Sequence, residues 1–129
     1  MYGFNVKVND NFEAAVVRVT EELQKEGFGV LTEIDVAATL KKKLDIDRRP
    51  YKILGACNPV LANQAIEAEA DVGLLLPCNV VVREEDDGSV IVSFMNPSTV
   101  LGLVQREELK VLGEEVLARL QRVSTAMKT

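Results

Sequence analysis

Apolar and polar residues alternate from Tyr2 to Val8, so that Tyr2, Phe4, Val6 and Val8 share one side with the period of a half-buried strand. Asn9 and Asp10 break the alternation, and Asp10 followed by Glu13 has the form of a capping box. Phe12, Ala15, Val16, Val19 and Leu23 then recur at helical spacing with charges opposite, and Gly27 supplies the stop. Phe28, Val30, Thr32 and Ile34 alternate as a second strand. Asp35 next caps a short helix with Val36, Leu40 and Leu44 along one side.

A polar loop spans Asp45 to Pro50, and Tyr51 to Cys57 reads as a buried strand. Asn58 and Pro59 open a third helix, because Asn caps well and Pro suits the first helical position. That helix ends near Glu69. Leu74 to Leu76 is a short apolar piece halted by Pro77. Val80 to Glu85 and Val90 to Met95 pair as a hairpin across Asp86-Asp87-Gly88-Ser89. Asn96-Pro97-Ser98 interrupts the pattern, after which an amphipathic helix from about Gln105 to Ser124 presents Leu109, Leu112, Val116, Leu120 and Val123 to a core. The strands have polar faces and the hairpin is antiparallel. The order of elements therefore predicts an α+β fold in which a curved, mostly antiparallel sheet carries helices on one face, including a long C-terminal helix.

At 129 residues, one domain over 1–129 with one core is expected. Apolar residues at 47% and charged residues at 27% are ordinary for a globular chain and point away from disorder or a fibrous architecture. The formal charge of −5 argues against nucleic acid as a partner, since phosphate neutralisation by Lys and Arg supplies most of that affinity. The first residues lack the features of a secretory signal, and no apolar run approaches the ~20 residues needed to cross a bilayer. Two cysteines in such a chain read as reduced thiols, which places the protein in the cytoplasm, away from membranes. Histidine is absent, and two thiols fall short of a zinc site's four ligands, so neither metal nor cofactor is expected. Phosphate loops, dinucleotide fingerprints and Ser/His/Asp combinations are also missing, which leaves open whether the chain is an enzyme at all.

The most distinctive stretch is Tyr51 to Pro59, where a strand runs through Gly55 and Ala56 into a capped helix. The N-terminus of a helix collects unpaired N–H groups and the positive end of the macrodipole, so it can hold an anion or lower the pKa of a thiol such as Cys57. The plainer reading is that Gly55 and Ala56 make room for a packed helix, Cys57 is a small core residue and Asn58 only a cap. A second Cys-Asn pair, Cys78-Asn79, lies at another break in the pattern. If the two junctions converge, Gly55, Cys57, Asn58, Cys78 and Asn79 line one ligand pocket, bounded by Glu33 and Asp35. Thiol or redox catalysis by Cys57 or Cys78 is the alternative, although no Cys-x-x-Cys is present. Glu33 and Asp35 also form a candidate acid–base pair, against which stands the cap assigned to Asp35. Finally, Lys41-Lys42-Lys43, Arg48, Arg49 and Lys52 concentrate positive charge while Glu67 to Asp87 is mainly acidic. That polarity suits steering of an anion or pairing of subunits, or simply a solvated surface.

The runs Glu26 to Val36, Ile53 to Pro59 and Gly73 to Val82 resemble those of a prokaryotic family of unknown function, the domain-of-unknown-function family numbered 302, and the resemblance covers nearly the whole chain. It implies a TATA-binding-protein-like α+β fold in a small cytoplasmic protein often found as a dimer. It also marks the segments holding Cys57, Asn58, Cys78 and Asn79 as family hallmarks without a role. DNA binding does not follow from that fold label, because function resides in sites. The leading expectation is a homodimeric small-molecule-binding or regulatory domain with its pocket at the two Cys-Asn junctions. A thiol-dependent enzyme and a homodimeric interaction module without a ligand are the alternatives.

Overall fold

The computed structural model describes residues 1–128. Strands β1 (Gly3–Val8), β2 (Gly29–Asp35), β3 (Tyr51–Cys57), β4 (Cys78–Glu84) and β5 (Val90–Met95) form one sheet in the order β1-β5-β4-β3-β2, every neighbouring pair antiparallel. Helices α1 (Phe12–Lys25), α2 (Val36–Leu44), α3 (Pro59–Ala68), α4 (Pro97–Gly102) and α5 (Glu107–Met127) connect and follow them, with a short 3-10 helix at Ala70–Leu75.

Strand alternation assigns the core. Val6 pairs with Val92, which pairs with Val82, and Phe94 lies between Phe4 and Val80, so these side chains share the face covered by α1 and α5. Ala15, Val19 and Leu23 of α1 meet Val116, Leu120, Val123 and Met127 of α5 over that face. Spacing by four in α1, and by three or four in α5, places each set on one stripe of its helix. A second cluster of Ala65, Val72, Leu101 and Leu109 joins α3, the 3-10 helix, α4 and the start of α5.

Local chemistry explains the boundaries, with some departures from expectation. The α1 cap is Asn11, whose side chain accepts from the Ala14 N–H at 2.8 Å, and not Asp10, which pairs with Arg18 at 2.6 Å. Arg18 also donates to the carbonyls of Ala126 and Met127, so the middle of α1 and the end of α5 are fastened together. At the other end of α1, Gly27 adopts φ 86°, and the Gly27 and Phe28 N–H groups close back onto Gln24 and Leu23. This is the paired C-terminal motif that glycine permits without steric cost.

The alternation of β2 is interrupted by an irregularity between Val30 and Thr32. Val30 stays on the core, but Thr32 and Ile34 turn to the opposite face, where Ile34 is 49% exposed. The expected α2 forms with Asp35 as its cap, the side chain accepting from Ala38 at 2.9 Å, yet it buries no residue. The Asn96-Pro97 interruption is itself a helix start: Asn96 accepts from Ser98 and Thr99 and opens α4. No helix among the described residues is long and apolar enough to cross a membrane.

Candidate functional site

Cys57 ends β3 and Cys78 begins β4. Ala56 pairs with Cys78, so the two cysteines lie one residue out of register on adjacent strands and line the same hollow. Asn58 also lines it, its other walls are apolar, among them Phe28, Leu61, Ala65, Leu76, Leu101 and Val116, and its volume is about 30 Å³. That is room for about one water, against the ~300–1,000 Å³ of small-molecule sites. Asn58 is 9% exposed, and its side-chain oxygen accepts from the Leu61 N–H at 3.2 Å, which spends that oxygen on the α3 cap. Gly55 is a packing position: a Cβ there would stand 2.2 Å from Thr32 Oγ1 and 2.9 Å from the Pro77 ring.

Burial pushes the Cys78 thiol up to about 11, with proximity to Cys57 adding in the same direction. The unfolded chain releases this proton near pH 9 and the folded chain only near 11, so the folded state loses stability as pH rises through that interval. Cys78 is therefore expected to contribute a loss of unfolding free energy across pH 9–11 with a slope approaching one proton, beside that of lysines such as Lys52 held by carboxylates, and Cys78→Ala to reduce the slope by that share. Denaturant titrations at stepped pH measure the slope, and an unchanged slope in the variant contradicts the assignment.

Asn79 does not join this hollow. It follows Cys78 directly on β4, and consecutive strand residues point to opposite faces. Cys78 is buried with the helices, whereas Asn79 is exposed and lines a groove on the other side of the sheet. The expected pocket of two thiols and two carboxamides is thus split by the sheet. Glu33 and Asp35 are remote as well. Asp35 pairs with Lys52, five residues from Cys57 along β3, a span of roughly 16 Å. There Glu33 Oε1 lies 2.7 Å from Lys52 Nζ, and that bond holds the ammonium above its ordinary pKa. Both carboxylates serve local structure.

The groove around Asn79 measures about 500 Å³ and runs between β4, β5 and β1 and the residues preceding β1. Asn5, Asn79, Arg83 and Ser93 bring polar groups to it, while Val81 and Met95 bring apolar surface. Asn5, Ser93 and Val81 share one row of the register, which aligns three strands on this face. Arg83 is held by two hydrogen bonds, Nε to Glu85 Oε1 at 3.0 Å and Nη1 to Ser93 Oγ at 2.9 Å. Sequence reading missed Asn5, Arg83 and Ser93, although each is the polar member of an alternating strand. Among the described residues no group of three or more His, Cys, Asp or Glu is placed to hold a metal ion.

These features define a small α+β protein whose antiparallel sheet is packed by helices on one side and grooved on the other. Residues 4–127 match the family described as "Domain of unknown function DUF302", and the chain belongs to that family. It is similar over 98% of its length to the crystal structure of an uncharacterized conserved DUF302 protein from Bacillus stearothermophilus, at 30% identity and a TM-score of 0.91, covering 98% of that chain. No curated protein matches it.

Proposed function

We propose that this protein is a binding domain that holds a small molecule in the groove on the open face of its sheet. One comparison carries the reading: the groove offers about 500 Å³ with several convergent polar groups, whereas the hollow at the cysteines offers about 30 Å³. Arg83 is fixed in orientation by Ser93 and Glu85, and a guanidinium is suited to a carboxylate. The Asn79 amide adds a donor and an acceptor, and Val81 and Met95 suit an apolar body. The favoured ligand class is a small carboxylate with an apolar portion, met in the cytoplasm. Thiolate chemistry at Cys78 is disfavoured, because it needs a lowered thiol pKa and burial raises that of Cys78.

A thermal-shift screen of small carboxylates and amides tests this. A ligand at about 100 times its Kd adds about 2.7 kcal/mol of stability. Combining Asn79→Ala with Arg83→Met is expected to weaken binding at least about tenfold, in line with loss of a charged hydrogen bond. Cys57→Ser should leave the shift intact. A shift kept in the groove variant and lost in Cys57→Ser refutes the groove.

A further inference from the structure

The basic segment identified in the sequence is largely neutralised in the fold. Lys41 is held by Asp45 and Asp47 at 2.8 and 3.1 Å, Arg49 by Glu84 and Asp86, and Lys52 by Glu33, while Arg48 lies over the Tyr51 ring. Among the described residues this leaves Lys42 and Lys43, both exposed at the end of α2, without an acidic partner. The helix that carries them has nine residues, none of them buried; its last residue Leu44 and the nearby Ile46 are 62% and 45% exposed. A helix so short is marginal in water and ordinarily depends on packing of its apolar side.

The acidic surface has the complementary character. Helix α3 and the first turns of α5 flank a broad groove of about 740 Å³, lined by Glu67, Ala68, Glu107, Glu108, Val111 and Leu112 among others. Glu67, Glu107 and Glu108 are exposed and carry no ion pair among the described residues, and Val111 is 58% exposed. One chain thus presents an uncovered basic helix with apolar residues and an uncovered acidic groove with apolar residues.

We infer that these surfaces are partners on different copies of the chain. Helix α2 of one copy sets Leu44 and Ile46 against Ala68 and Val111 of the next, with Lys42 and Lys43 opposite Glu67, Glu107 and Glu108. Opposed unpaired charges supply the recognition, and covering of α2 supplies the apolar gain. The contact is head to tail, because α2 precedes Tyr51 and α3 follows Cys57, at opposite ends of a strand about 20 Å long. An association of this heterologous kind leaves one surface of each type free and propagates into a ring or a short chain.

Analytical ultracentrifugation of the full chain from micromolar to millimolar concentration, at about 20 mM and about 500 mM salt, tests the inference. Self-association is expected at low salt and should weaken at least tenfold at high salt. Two variants, Lys42→Glu with Lys43→Glu and Glu67→Lys with Glu108→Lys, should each be folded by circular dichroism and monomeric alone. Mixed in equal amounts they should associate again, because a reversed helix then faces a reversed groove. Monomeric wild type at low salt, variants that assemble as tightly as wild type, or a mixture that stays monomeric would each overturn it.

Discussion

Phe94→Ala is expected to lower unfolding free energy by about 3–5 kcal/mol, the range for truncating a buried aromatic to alanine. Phe94 is 1% exposed, sits between Phe4 and Val80 on adjacent strands, and stacks on the Phe4 ring with centroids 5.3 Å apart. Removal of the ring leaves a cavity between sheet and helices that a close-packed interior fills poorly, and it also forfeits the ring pair, worth about 0.5–1.5 kcal/mol. Chemical denaturation measures the loss. A change below about 1 kcal/mol would mean that the core collapses around the gap, against the packing described. Ser93, the preceding residue, faces the groove, so Ser93→Ala should cost only about 0.5–1.5 kcal/mol, the worth of its hydrogen bond from Arg83.

The second expectation sets two effects against each other. Gly113 lies inside α5, where replacing glycine by alanine ordinarily stabilises a helix by about 1 kcal/mol. Here a Cβ would stand 2.9 Å from the Pro97 carbonyl oxygen and 3.0 Å from the Ser98 Cα. Those are backbone atoms at the start of α4, fixed by the Asn96 cap, and they do not rotate away as a flexible side chain would. Relief requires α4 to shift from α5, and such overpacking costs about 1–3 kcal/mol. Gly113→Ala is therefore expected to destabilise on balance, by up to about 2 kcal/mol after the helical gain is offset. Thermal unfolding decides the sign, and a raised Tm would show that α4 yields freely.

The groove and the cysteine hollow illustrate why a motif and a site differ. Cys57-Asn58 and Cys78-Asn79 look alike as letters. The first ends a strand and caps a helix, so Asn58 turns inward to α3. The second begins a strand, so its two side chains part across the sheet. Whether the two junctions converge was left open by the sequence, and the structure brings the two thiols to one hollow. The division of the amides depended on whether β4 starts at Cys78 or Val80, and strand ends are marked weakly in composition. A shift of one residue exchanges the faces of every following side chain.

What the chain's own pattern determined is local: the period of two for the strands, the stripe of α5, the caps at Asp35 and Asn58, and the hairpin from β4 to β5. Each rests on residues within about one or two turns or a single register pair, so neighbours in sequence suffice to specify it. Family membership likewise lay in contiguous runs. Tertiary structure alone decided the rest: β1 beside β5, the break in β2 that turns Ile34 outward, the bare surface of α2, and the groove built from Asn5, Asn79, Arg83 and Ser93. These features join residues tens of positions apart, and their faces are set by which strands pair and in what register, which no short-range periodicity encodes.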